Sequence, residues 1–192
     1  IIINGDMRIA ERSTSSTGSG DYVLDRFYND YNGGTVTYAQ SALSSSDTPY
    51  THGFRSAMKV TNTSAGSDAA ANYVRFQQRI EAQNLANSGW NYTSATSFVT
   101  LSFWVKSSLA GTYAISLYNE DSSSKSYSFE FTLSANTWTK VTHAIKGDSS
   151  VVVNNDSGDG LRVQFFVHAG TNYSTSSHTN EAWHTYSGAD QV

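Results

Sequence analysis

The chain has 192 residues, with 16 Asp or Glu against 12 Lys or Arg for a net charge of -4, and it contains no cysteine. Disulfide frameworks, thiolate metal sites and cysteine nucleophiles are thereby excluded, and basic residues scattered singly form no stripe to grip a phosphate backbone, so no nucleic-acid partner is expected. Aromatic residues reach 13% while charged ones are only 15%; that content is too apolar for disorder, yet no apolar run approaches the roughly 20 residues that span a bilayer, so no membrane insertion is expected.

The sequence opens on Ile1 with neither an initiator methionine nor a signal-peptide pattern, and is read as one domain over 1–192, a piece of a longer polypeptide. Along it the dominant apolar spacing is two, that of a half-buried strand. Strands are predicted at 22–27 and 35–39, with the turn residues Asn32, Gly33 and Gly34 between them, then at 54–61 and 72–81. Residues 81–90, with Gln83, Leu85 and Ala86, form the one helical stretch, expected near 82–88 and too short to cross over a parallel sheet. The clearest alternation follows at 98–106, where Val99, Leu101, Phe103 and Val105 share one face and Trp104 points the other way. Segments 113–118, 127–133, 138–146 and 161–169 repeat the pattern, placing Ile115, Leu117, Phe129, Phe131, Val163, Phe165 and Val167 in the core. About ten short strands at even intervals with one short helix predict an all-β, antiparallel two-sheet sandwich, most plausibly a jelly roll.

Off the core phase lie Trp104, Arg75, Gln77, Arg79, Tyr118, Glu130, Gln164, Phe166 and His168. Flat aromatic faces stack on the C–H face of a pyranose, and amide, guanidinium and carboxylate groups hold its hydroxyls, so these nine are the candidate ligand-binding residues. His143 falls in phase with Val141 and Ile145 and is read as a hydrogen-bonded core histidine. No histidines show the i, i+4 spacing of a helical zinc site. Ser and Thr make up about a quarter of the chain, giving a neutral, hydroxyl-rich surface.

The segments Ile3-Asn-Gly-Asp-Met-Arg-Ile-Ala10, Tyr22-Val-Leu-Asp-Arg-Phe27, Phe76-Gln-Gln-Arg-Ile-Glu81, Leu101-Ser-Phe-Trp-Val-Lys-Ser107, Gly111-Thr-Tyr113, Ser134-Ala-Asn-Thr-Trp-Thr-Lys140 and Leu161-Arg-Val-Gln-Phe-Phe-Val-His-Ala-Gly170 together resemble a domain of bacteriophage tail fibres and tail-associated proteins, of marine and cyanobacterial type. That domain in turn resembles jelly-roll carbohydrate-binding modules, whose concave sheet grips sugar chains. The pattern usually ends in a strand of the kind Trp-Tyr-Ile-Thr-Gly-Val-Gln-Leu-Glu, which this chain lacks, and Phe166 stands where a second tryptophan is common. The resemblance implies a non-catalytic glycan-binding module on a virion tail or surface fibre, attaching to host polysaccharide as a homo-oligomer, most plausibly a trimer. It also implies a structural calcium near the N-terminal strand, where Asp6 lies; the acidic, Asn-rich loop with Asn155 and Asp156 offers oxygen ligands of the same kind. Two alternatives stand beside this reading. One is a structural fibre knob or spacer. The other is a polysaccharide lyase or hydrolase, for which Arg79, Gln77, His168 and Tyr118 supply the residue types of an elimination.

Overall fold

Alternating apolar and polar side chains can be sorted to two sides only by an extended backbone, and in the computed structural model the alternating segments are strands. The structure describes residues 1–64, 69–121, 124–174, 179–188 and 191–192. Within them the order is β1 (Ser15–Ser16), β2 (Phe27–Asn32), β3 (Thr35–Ala42), α1 (Thr48–Thr51), β4 (Ser56–Ser64), β5 (Tyr73–Glu81), α2 (Ala82–Ala86), β6 (Phe98–Val105), β7 (Gly111–Asn119), β8 (Lys125–Leu133), β9 (Thr139–Lys146), β10 (Asp159–Ala169) and β11 (His184–Thr185). The fold is an antiparallel β-sandwich of jelly-roll-like form. One layer is a six-stranded sheet in the order β11-β8-β7-β10-β5-β2; the other consists of the ribbon β1-β3-β4 and the two-stranded ribbon β6-β9.

Each ribbon buries its own part of the sheet's inner face. Under β6-β9 lie Ile115, Leu117, Phe129, Leu161 and Val163 of the sheet, joined by Val141 and Ile145, with Val99, Leu101, Phe103 and Val105 packed on them. Under β3-β4, Val36 and Tyr38 meet Val23 and Val74. Phe76 and Phe165, stacked at 4.7 Å, link the two clusters, and Phe103 meets Phe165 and Phe131 edge-on. Two of the polar groups reaching the interior are paired with backbone: the Tyr38 hydroxyl sits between the carbonyls of Arg75 (2.9 Å) and Asp30 (3.1 Å), and the Gln78 amide exchanges two 2.8 Å hydrogen bonds with the backbone of Ile3. Burial of the Tyr38 ring and the nearby Asp30 charge push its phenol far above the usual range.

Two expectations change. Residues 22–26 are bent rather than extended; β2 starts at Phe27, after Arg26 at φ 74°, and Val23 and Leu24 fill the core from that bend. The expected turn at Gly33 and Gly34, at φ 86° and 71°, carries the chain from sheet to ribbon, since β2 pairs with β5 and β3 with β4. Val167 is 43% exposed instead of buried, because a register shift between Phe166 and His168 inserts an extra residue there and reverses the alternation beyond it. His143 is the hydrogen-bonded histidine its phase predicts: its Nε2 lies 2.9 Å from the Tyr127 hydroxyl and its ring stacks on Phe129 at 4.0 Å. Burial lowers its pKa, and the same desolvation pushes Tyr127 up to about 12. No helix among the described residues is long and apolar enough to cross a membrane.

Candidate functional site

The sandwich has two outer faces, and the candidate residues divide between them. On the six-stranded sheet the pairing aligns Tyr28, Gln77, Gln164, Ser116 and Ser128 in one row across five strands, and Asp30, Arg75, Phe166, Ala114 and Glu130 in the next. Gln77, Arg75, Arg79, Tyr118, Glu130, Gln164 and Phe166 thus do share one face, as period-two reading requires. His168 does not, because the bulge pairs it with the core-phase residue Val74.

That face is covered by the chain that follows β10. Tyr173 packs edge-on against Tyr73 at 5.1 Å, Tyr186 lies 4.3 Å from Tyr118, Asn180 accepts a hydrogen bond from the Ser128 hydroxyl (2.9 Å), and Gln191 accepts one from Arg75 (3.2 Å). Gln77, Gln164 and Phe166 are consequently 1%, 3% and 6% exposed. Beneath the covering segment Arg75 is held by Asp30 (2.8 Å), and its guanidinium lies over Tyr73 and Phe166; Tyr73 donates to Asp30, and burial with that carboxylate pushes its phenol up to about 12. The Gln164 amide donates to Gln77 Oε1 (2.9 Å). Only Glu130 of this group is fully open to solvent, while Arg79 sits at the rim, 3.5 Å from Asp159.

The outer face of β6-β9 is different. Trp104 lies here, on the opposite layer from the other candidates, back to back with Phe103 of the core. Pairing of Trp104 with Lys140, Ser102 with Thr142 and Phe98 with Lys146 lays out the face along both strands. Phe98 (58% exposed) stands at one end; Thr100, Ser102, Thr142, Ala144 and Lys140 are exposed along the middle. At the other end Trp104 is half-buried with His52 at 5.1 Å, and Trp138 lies beside Lys106, whose ammonium is 4.8 Å from the indole centre.

The segment leading into α1 organises that end. Asp47 occupies the position before the helix, yet its carboxylate caps no helical N–H. It accepts instead from the Ser44 amide (2.9 Å), the Ser44 hydroxyl (2.8 Å), the Trp138 indole N–H (2.6 Å) and Lys106 (3.3 Å). These donors, the indole first, hold the carboxyl far below the usual carboxylate range. The ring of Trp138 is thereby fixed edge-on to a permanent charge, leaving its faces for Lys106 and for contact from outside. Period-two reading missed Trp138, Asp47 and His52. Trp138 lies one residue before β9 and was detectable, since the strand read over 138–146 already puts it on the Lys140 side; Asp47 reaches Trp138, and His52 reaches Trp104, from far upstream with no local signal.

The candidate calcium ligands take partners within the protein: Asp6 faces Arg8 at 3.9 Å, Asp156 accepts from the Gly158 amide (2.9 Å), and Asn155 is exposed at φ 56°. Among the described residues no three His, Cys, Asp or Glu side chains are grouped to hold a metal ion. A comparison with protein-family models and with curated proteins finds no match to the chain.

Proposed function

We propose that this is a non-catalytic glycan-binding module that engages sugar chains on the outer face of β6-β9. The observation that carries the reading is the flat strip from Phe98 to Trp104: aromatic rings and lysines at its ends, exposed hydroxyls between, and, among the described residues, no segment over its middle. At about 3.3 Å per residue the strip is roughly 20 Å long, the scale of a short oligosaccharide. Its rings meet the C–H faces of pyranoses, while Ser102, Thr142, Lys106 and Lys140 meet the hydroxyls. So shallow a surface binds weakly, and display on an oligomeric fibre compensates through effective concentration. The resemblance to tail-fibre domains supports a virion surface as the place and a trimer as the assembly.

The test is a glycan array probed with a multivalent display of the domain, followed by titration of the best hit. Trp104→Ala and Trp138→Ala are expected to weaken binding by at least about tenfold, or about 1.4 kcal/mol, with the circular dichroism spectrum unchanged. Binding unaltered in both variants overturns the reading. The covered sheet favours one competitor, a fibre spacer that binds nothing. Array hits decide between them. An eliminating enzyme finds less support, since Gln77 is enclosed and His168 is carried off the face of Arg79 and Tyr118.

A further inference from the structure

At the edge of the six-stranded sheet, away from the β6-β9 strip, Arg12, Arg26 and Arg79 line a cleft of about 450 Å³ with Tyr22, Glu81 and Asp159. A second hollow of about 320 Å³ shares Arg12 and Tyr22 with it and opens on Ser13, Ser15 and Ser16. The three arginines differ from others in this protein. Arg55, Arg75 and Arg162 each spend two or more N–H groups on carbonyl, amide or carboxylate oxygens. Among the described residues, the guanidinium groups of Arg12, Arg26 and Arg79 donate no hydrogen bond. Arg26 stands 3.6 Å from Glu81 and Arg79 stands 3.5 Å from Asp159, both loose contacts, and the Arg79 Nε is buried without an acceptor.

The neighbouring carboxylates are occupied elsewhere. Asp159 takes Arg162 Nε at 2.9 Å, Glu81 takes the Gln83 amide at 2.8 Å, and Asp25 takes the Glu11 backbone N–H at 3.2 Å. Meanwhile tyrosine rings hold two of the guanidinium groups in place: Arg79 lies over Tyr28 at 5.1 Å and Arg12 over Tyr22 at 5.3 Å, with the two rings packed edge-on. Planar forks with unspent donors, positioned in advance, suit an acceptor of two or more oxygens carrying a negative charge, and part of the ordering cost of binding is already met. The acidic side chains of the same wall disfavour a densely charged polyanion and accept hydrogen bonds from hydroxyls. We propose that this cleft binds an acidic sugar, one that carries a single carboxylate or sulfate among its hydroxyls, with Arg12, Arg26 and Arg79 on the anionic group and the serine-lined hollow on the neighbouring ring.

The ligand class rests on the glycan reading, whereas the site is independent of Trp104. The experiment titrates the domain with a polygalacturonate oligosaccharide, a dextran oligosaccharide sulfated at no more than one position per ring and plain dextran of matched length, following backbone amide shifts. At least one acidic sugar is expected to shift the amides of residues 12–26 and to bind at least about tenfold tighter than dextran, with the advantage shrinking as salt rises; which one binds separates carboxylate from sulfate. Arg12→Ala and Arg79→Gln should each remove that advantage, and Trp104→Ala should leave it intact. Arg12 is exposed, with its guanidinium over the Tyr22 ring, so its variant carries the test even if Arg79→Gln unfolds. Equal affinity for dextran, arginine variants that bind like the parent, or displacement of the sugar by equimolar inorganic phosphate overturns the cleft assignment. Array hits that survive such a failure, and depend on Trp104, leave the strip reading standing; the absence of array hits removes that reading without deciding the amide shifts at the cleft.

Discussion

The two outer faces of the sandwich carry the same sequence pattern and meet opposite fates. On β5 and β10 the off-core phase reads Arg75, Gln77, Arg79 and Arg162, Gln164, Phe166; on β6 it reads Thr100, Ser102, Trp104. The first set looks the more polar, yet it is the buried one, closed over by Tyr173, Asn180, Tyr186 and Gln191. The second holds a large indole, half-buried beside His52, and is exposed along its middle. Polarity of the off-core phase therefore does not identify a solvent face; what matters is whether a distant segment has somewhere else to go. The covering chain is itself polar and aromatic, so a layer of amides, guanidinium groups and rings suits it better than an aliphatic one.

The sharpest way to break this comparison is to perturb the shared core and each face in turn. Phe129→Ala, at a ring 1% exposed, is expected to cost about 3–5 kcal/mol in urea unfolding, whereas Trp104→Ala should cost under about 1 kcal/mol, as at other surface sites. Similar losses for the two would mean that Trp104 is core. On the covered face, Gln164→Ala should cost about 1–3 kcal/mol, because it leaves the buried Gln77 oxygen without its donor. Replacing both, Gln77→Leu with Gln164→Leu, removes the orphan and should restore most of that loss, with glycan binding untouched. A double variant that keeps its fold but loses binding would return the site to the sheet.

How far these features were legible follows from the same residues. Parity placed Phe103 and Trp104 on opposite sides correctly, because two adjacent strand residues cannot do otherwise. It placed Gln77 and Gln164 off the core phase correctly for the same reason. It failed at Val167 and His168, where one inserted residue reverses the phase, and at residues 22–26, where apolar content serves a bend. The cover over Gln164 and the clamp of Asp47 on Trp138 were invisible, since each joins segments far apart in the chain and leaves no periodic trace. The unspent donors of Arg12, Arg26 and Arg79 belong to that class too.

A smaller effect sharpens the picture of the core side. His143 is held neutral by burial, so its folded pKa lies below the unfolded value near 6.5. The unfolded chain then binds the proton more readily, and stability that is fully present above pH 6.5 declines as pH falls through the folded pKa. Melting temperature should drop more steeply with acidification from pH 7 in the parent than in His143→Gln, measured side by side; parallel slopes would place the ring in water.

The central claim, that ligand meets β6-β9 and not the six-stranded sheet, is tested most directly by one titration. With the best glycan from the array added to the isotope-labelled domain, the indole N–H resonances of Trp104 and Trp138 should move while the side-chain amides of Gln77 and Gln164 hold still. Shifts in those glutamine amides with the two indoles unmoved would contradict the account.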